Sequence, residues 1–211
     1  VATLILGWNV YFTRSFRISS WGFNKRIRTL YILYSLSLFI WALSCAFFYS
    51  PLLPRIDESA ALTVALFTNI VFFSSLVFVC AITQVLVSGI DSSWLRKAQS
   101  LLLISFSFLA GYLNYLPGRT INHISIEDVG RFTIELGPDA IWFLFSIVVL
   151  LVLTIRNIWL YSRKTRAFQQ IRALYMFASI FIFMLSTLIF NGAMPIIWND
   201  FSMTWLPPTF A

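Results

Sequence analysis

Ala140–Tyr161, AIWFLFSIVVLLVLTIRNIWLY, is the stretch whose reading decides the fold. The sixteen residues from Ala140 to Ile155 carry no charge. With Arg156 snorkelling toward the headgroups, the segment is long enough to cross a hydrocarbon core of ~30 Å as a helix. Its flanks differ in sign. Glu127, Asp128, Arg131, Glu135 and Asp139 precede it, whereas Arg163, Lys164, Arg166 and Arg172 follow it. Basic residues remain on the cytoplasmic side of a membrane, so this helix is predicted to run from outside to inside.

The whole chain has the same character. Of its 211 residues, 59% are hydrophobic and 11% charged, against roughly 25% charged in a soluble domain. That leaves too little polar surface to coat a water-soluble fold. The net charge of +7 does not point to nucleic acid, because the basic residues sit in short turns between apolar runs of spanning length. Cys45 and Cys80 fall near opposite ends of neighbouring spans, about 20 Å apart in depth, which excludes a disulfide and leaves both as apolar packing residues. Val1 lies inside an apolar run, so the true start is expected upstream, and no cleavable signal peptide is visible.

Working outward from Ala140–Tyr161, the sequence predicts an all-α integral membrane bundle forming a single transmembrane domain over 1–211. Spans are expected at about 1–13, 30–49, 60–87, 99–116, 140–161 and 173–190. The first is truncated, and a seventh helix is expected beyond Ala211. Arg14–Thr29 is a basic inner turn, and its interleaved Phe16, Trp21 and Phe23 also suit anionic headgroups. Ser50–Ser59, with Pro51 and Pro54, is a short outer turn. The longest outer loop is 117–139, where the apolar pattern is too brief to choose between a hairpin and a short helix. Of fifteen basic residues, only Arg55, Arg119 and Arg131 fall outside in this topology. It places the amino terminus outside and makes the lipid bilayer the first partner.

Helical spacing gathers polar residues into stripes. Ser37, Trp41 and Ser44 share one on the second span; Asn69, Phe73, Cys80, Thr83 and Gln84 share one on the third. Ser100, Ser107, Gly111 and Asn114 form a stripe on the fourth, and Asp139, Ser146 and Asn157 on the fifth. Such residues let helices approach closely and hydrogen-bond across a bundle, which is the role expected of Asn69, Gln84 and Asn157. The functional reading adds a cavity open to the outside and lined by Trp41, Tyr112, Asn114 and Trp142, with the single His123 in the nearby loop. His123 is otherwise an exposed loop histidine, and a metal site would need more nitrogen or sulfur ligands.

The sequence carries no catalytic constellation. It has no Gly-rich phosphate loop, no H-E-x-x-H, no G-x-S-x-G and no pair of intramembrane carboxylates, so neither a catalytic residue, a metal nor a cofactor is assigned. A transporter with Asn69, Gln84 and Asn157 along a polar path is the alternative, although interrupted helices or buried charges would be expected of it. A membrane acyltransferase would need a cluster of histidines or acids, and there is one histidine.

Three stretches resemble the amino-terminal seven-transmembrane region of bacterial sensor histidine kinases. They are SLSLFIWALSCAFFY (Ser35–Tyr49), VFFSSLVFVCAITQVL (Val71–Leu86) and RAFQQIRALYMFASIFIFMLSTLIFNGAMPIIW (Arg166–Trp198). The resemblance spans nearly the whole chain in order and spacing. It implies a sensory input region in the bacterial cytoplasmic membrane that responds to an extracytoplasmic small molecule or membrane signal. It also implies a seventh helix leading to cytoplasmic output modules, and a homodimer formed through those modules. It transfers no catalytic residue to this segment.

Overall fold

A computed structural model of the chain describes residues 25–87, 93–128 and 131–164, together with Ile182 and Ser186. Four long helices run through these residues: α1 (Lys25–Phe48), α2 (Glu58–Leu86), α3 (Ser93–Tyr115) and α4 (Ala140–Lys164). An antiparallel pair of strands, β1 (Ile121–Asp128) and β2 (Arg131–Leu136), stands between α3 and α4. The expected spans 1–13 and 173–190 lie outside the described residues, apart from Ile182 and Ser186.

Among the described residues, α1, α2 and α4 are long and apolar enough to cross a membrane. The segment expected to span at 99–116 is helical as α3, but Arg96, Lys97, Gln99, Ser100, Ser105, Ser107 and Asn114 make it too polar for the same statement. Helix boundaries extend past the expected spans. α1 begins at Lys25 and not Leu30, α3 begins at Ser93 and not Gln99, and α4 continues to Lys164. Lys and Arg are good helix formers, and their long stems carry the charge to the interface while the backbone ladder continues.

α2 is the central helix, packed against α1, α3, α4 and β1. Its Phe73, Leu76, Val79 and Cys80 meet Leu38 and Trp41 of α1, Leu113 of α3 and Leu150 of α4 in one buried cluster. Hydroxyls inside the helices donate to their own backbone: Ser44 to Ile40, Thr68 to Val64, Ser75 to Phe72, Ser146 to Phe143 and Thr154 to Leu150. Each polar group is thereby satisfied without water, which lets a Ser- and Thr-bearing helix sit in an apolar surrounding.

The α1–α2 connection follows from its prolines. Pro51 and Pro54 cannot continue α1, and the chain makes a single 3-10 turn over Leu53–Arg55 before Glu58 opens α2. Glu58 in that first turn complements the positive end of the helix.

The long loop resolves into a hairpin. Its register pairs His123 with Glu135, Ile124 with Ile134, Ser125 with Thr133 and Ile126 with Phe132. Alternation puts Ile124, Ile126, Phe132 and Ile134 on one face and the polar pairs on the other. An irregularity between Ile121 and His123 returns Ile121 to the apolar side. That side covers Phe48, Leu53, Ala61, Ala65 and Leu66, so the hairpin seals one end of α1 and α2. The Phe48 and Phe132 rings lie 5.1 Å apart.

Candidate functional site

The described bundle is cross-linked by buried polar side chains at two levels. One lies beneath the hairpin, the other toward the end rich in arginine and lysine.

At the hairpin end, Asn69 of α2 donates its side-chain amide to Asn114 Oδ1 of α3 at 3.1 Å, and the Thr120 hydroxyl donates to the same oxygen at 2.8 Å. Asn114 Nδ2 donates in turn to the Ala110 carbonyl at 2.9 Å. Asn114 is only 2% exposed, so these contacts satisfy a group that water does not reach. The arrangement ties α2, α3 and the residue that leads into β1 to one oxygen.

Directly beside it the hairpin closes on itself. Gly118, at φ +83°, donates its N–H to the Ile121 carbonyl, Gly137 donates to Thr120, and Asp139 donates to Arg119. Arg119 also bridges to Asp139 through Nη1 and Oδ2 at 2.7 Å. The hydrogen bond and charge of Asp139 push the Arg119 guanidinium up from its ordinary value and keep it charged. The Asp139 carbonyl then accepts the N–H groups of Trp142 and Phe143, which starts α4. The hairpin neck and the first turn of α4 are thus one hydrogen-bonded unit.

At the other end, Gln99 of α3 donates to Asn157 Oδ1 of α4 at 3.1 Å, and Arg156 Nη1 reaches the same oxygen at 3.2 Å. Asn157 Nδ2 donates to Thr83 Oγ1 of α2 at 3.4 Å, and Thr83 donates to the Cys80 carbonyl at 2.8 Å. Gln84 adds a second α2–α3 link, donating to the Arg96 carbonyl at 2.9 Å and to Ser100 Oγ at 3.0 Å. Asn69, Gln84 and Asn157 therefore each hydrogen-bond to a neighbouring helix.

The five candidate signal residues do not share one environment. Trp41 is 2% exposed and packs its ring 5.2 Å from that of Phe72. Asn114 is the acceptor just described. Tyr112 and Trp142 are more than half exposed, at 55% and 56%, and Trp142 stands edge-on to Phe145. His123 is exposed on the polar face of the hairpin, with Nε2 3.6 Å from Glu58 Oε2 at the start of α2. Two residues that the sequence reading passed over are central. Thr120 stood in the loop without a partner to suggest its role, and Gln99 marked the edge of a predicted span. Among the described residues, no three His, Cys, Asp or Glu side chains converge as metal ligands.

A helical bundle of this polarity, sealed at one end by a hairpin, defines a multi-pass membrane protein. Its sequence is 31% identical over 181 residues to the autoinducer 1 sensor kinase/phosphatase LuxN of Vibrio campbellii, and equally to that of Vibrio harveyi. The match covers 86% of this chain and 21% of each relative's length. No protein-family pattern matches the chain, and no solved structure does. The chain is accordingly homologous to a membrane region of a bacterial sensor kinase.

Proposed function

We propose that this chain is the input region of a two-component sensor histidine kinase in the bacterial cytoplasmic membrane. It contributes six transmembrane helices with the amino terminus outside, and a seventh helix leads to the catalytic modules. The observation that carries this reading is the sequence similarity, extended over most of the chain, to a protein named as an autoinducer sensor and kinase/phosphatase. That name makes a diffusible signalling molecule the class of signal to test first, and the hairpin end, facing outward in this topology, the place where it acts.

The hairpin neck supplies a route for the signal. A displacement of the hairpin moves Thr120 and Asp139 together, and Asp139 begins α4. At its far end α4 places Asn157 between Gln99 of α3 and Thr83 of α2. A small shift of α4 then alters helix pairing at the end nearest the output modules, with a coupling of roughly 1 to 3 kcal/mol.

The test is autophosphorylation of the full-length receptor in membrane vesicles, with and without added autoinducer 1, for the wild type and a triple variant carrying alanine at Trp41, Asn114 and Trp142. The expected result is a kinase of undiminished capacity whose response to the signal is lost. An unaltered response in the triple variant removes the hairpin end as the input.

A further inference from the structure

Among the described residues, two buried side-chain polar atoms are left without a hydrogen-bond partner, and both lie at the basic end beside the line of donors from Gln99 to Asn157 to Thr83. They are Gln99 Oε1 and Arg96 Nε. Gln99 as a whole is 4% exposed. The two residues lie three apart on α3, one turn of the helix, and so share a face. One offers an acceptor and the other a donor. Leaving either unpaired is destabilising, and more so for the charged Arg96.

We propose that Arg96 and Gln99 frame a binding site for a small neutral hydroxylic molecule, water in the membrane-embedded protein. A hydroxyl suits the pair because it accepts from the arginine Nε–H and donates to the glutamine carbonyl oxygen at the same time. An anion without a hydroxyl proton, such as a carboxylate or a phosphodiester, fails the second requirement, since it has no proton for Gln99. A metal ion is excluded by the first, since the guanidinium would repel it. Gln99 is the seventh residue of α3 and so ~9 Å along the helix from its start, at 1.5 Å per residue. That is shallow enough to be supplied from the interface. The guest completes a line of hydrogen bonds from α3 through Asn157 to Thr83, so the α2–α3–α4 seam at this end is hydrated and the seam beneath the hairpin is dry. The proposal does not depend on the signalling role.

Solid-state NMR of the full-length protein in phosphatidylcholine–phosphatidylglycerol liposomes tests it by transfer of magnetisation from water to side-chain amides. The Gln99 signal is identified by its disappearance in Gln99→Leu, and the equally buried, fully paired Asn114 amide is the internal reference. Transfer to Gln99 several-fold faster than to Asn114, slowed toward the reference in Arg96→Met, is the expected result. Equal, slow transfer to both amides in the wild-type protein overturns the site. So does fast transfer that Arg96→Met leaves unchanged, because Arg96 would then hold nothing. Both comparisons are read on side-chain signals in folded protein, so a variant that merely fails to fold is recognised by loss of the Asn114 reference and replaced by Arg96→Leu, which also lacks the donor and is read the same way.

Discussion

Asn114 Oδ1 accepts two hydrogen bonds from different parts of the fold, one from Asn69 of α2 and one from Thr120 at the hairpin neck. Interhelical hydrogen bonds in membranes are worth about 0.6 kcal/mol on average and up to ~1.7. A double-mutant cycle of Asn69→Ala and Asn114→Ala, read as unfolding free energy in detergent micelles, should return a coupling in that range. The Thr120→Val and Asn114→Ala pair should couple as well. Additive single effects would mean that the shared acceptor carries no energy.

Gly137 is placed so that a Cβ would meet the Arg119 carbonyl oxygen at 2.2 Å and the Gly118 carbonyl oxygen at 2.6 Å, both backbone atoms. Gly118 has the positive φ, yet a Cβ there would find only Asn122 Oδ1, at 3.8 Å. Steric conflict with backbone outweighs an unfavourable dihedral, which costs roughly 1 to 2 kcal/mol. Gly137→Ala should therefore lower the thermal midpoint more than Gly118→Ala does. The reverse order would show that the neck adjusts freely.

Removing Asn157 strands the buried Gln99 amide, while the Thr83 hydroxyl keeps its bond to the Cys80 carbonyl. Asn157→Leu should cost about 1 to 2 kcal/mol, measured by equilibrium unfolding in mixed micelles. Gln84→Leu should cost less, because Gln84 is only partly buried and Ser100 retains its bond to the Arg96 carbonyl.

Cys80 is 1% exposed and Cys45 is half-buried; both are free thiols. Maleimide applied to the protein in native membranes should leave Cys80 unmodified until a denaturant is added. Rapid labelling of Cys80 would place the core cluster around α2 in contact with solvent.

The proposed topology puts every basic turn on one side. Cysteines introduced at Lys25 and Arg166 in a background lacking Cys45 and Cys80 should react with an impermeant maleimide only from the cytoplasmic side. Labelling from opposite compartments would overturn the membrane map.

How much was legible in the sequence depended on the length scale of each signal. Ala140–Tyr161 announces α4 because a spanning helix needs some twenty apolar residues in succession, a pattern few other structures produce. The 117–139 loop was not legible as strands. Its pattern runs over too few residues, and the burial of Ile124 and Phe132 comes from Phe48 and Leu66, far away in the chain. The stripes identified Asn69, Asn114 and Asn157 as protein-facing but not their partners, because helical phase fixes a face and says nothing of which helix lies against it. Nor does residue type fix how deeply an aromatic side chain is packed. Trp41 packs inward while Tyr112 and Trp142 point outward, a difference in helix rotation that side-chain type alone does not encode.

The neck also bears on what the chain can tolerate. Arg119, Thr120, Gly137 and Asp139 bring the two polypeptide crossings of the hairpin to a single place and fasten them there. The strands beyond that fastening still cover Phe48 and Leu66, but the tip between β1 and β2 is topologically a side branch, and lengthening, shortening or exchanging it should leave the spacing of α3 and α4 in the lipid untouched. Different tips can accordingly be grafted onto one transmembrane chassis, each presenting a different surface while the helices beneath keep their depth.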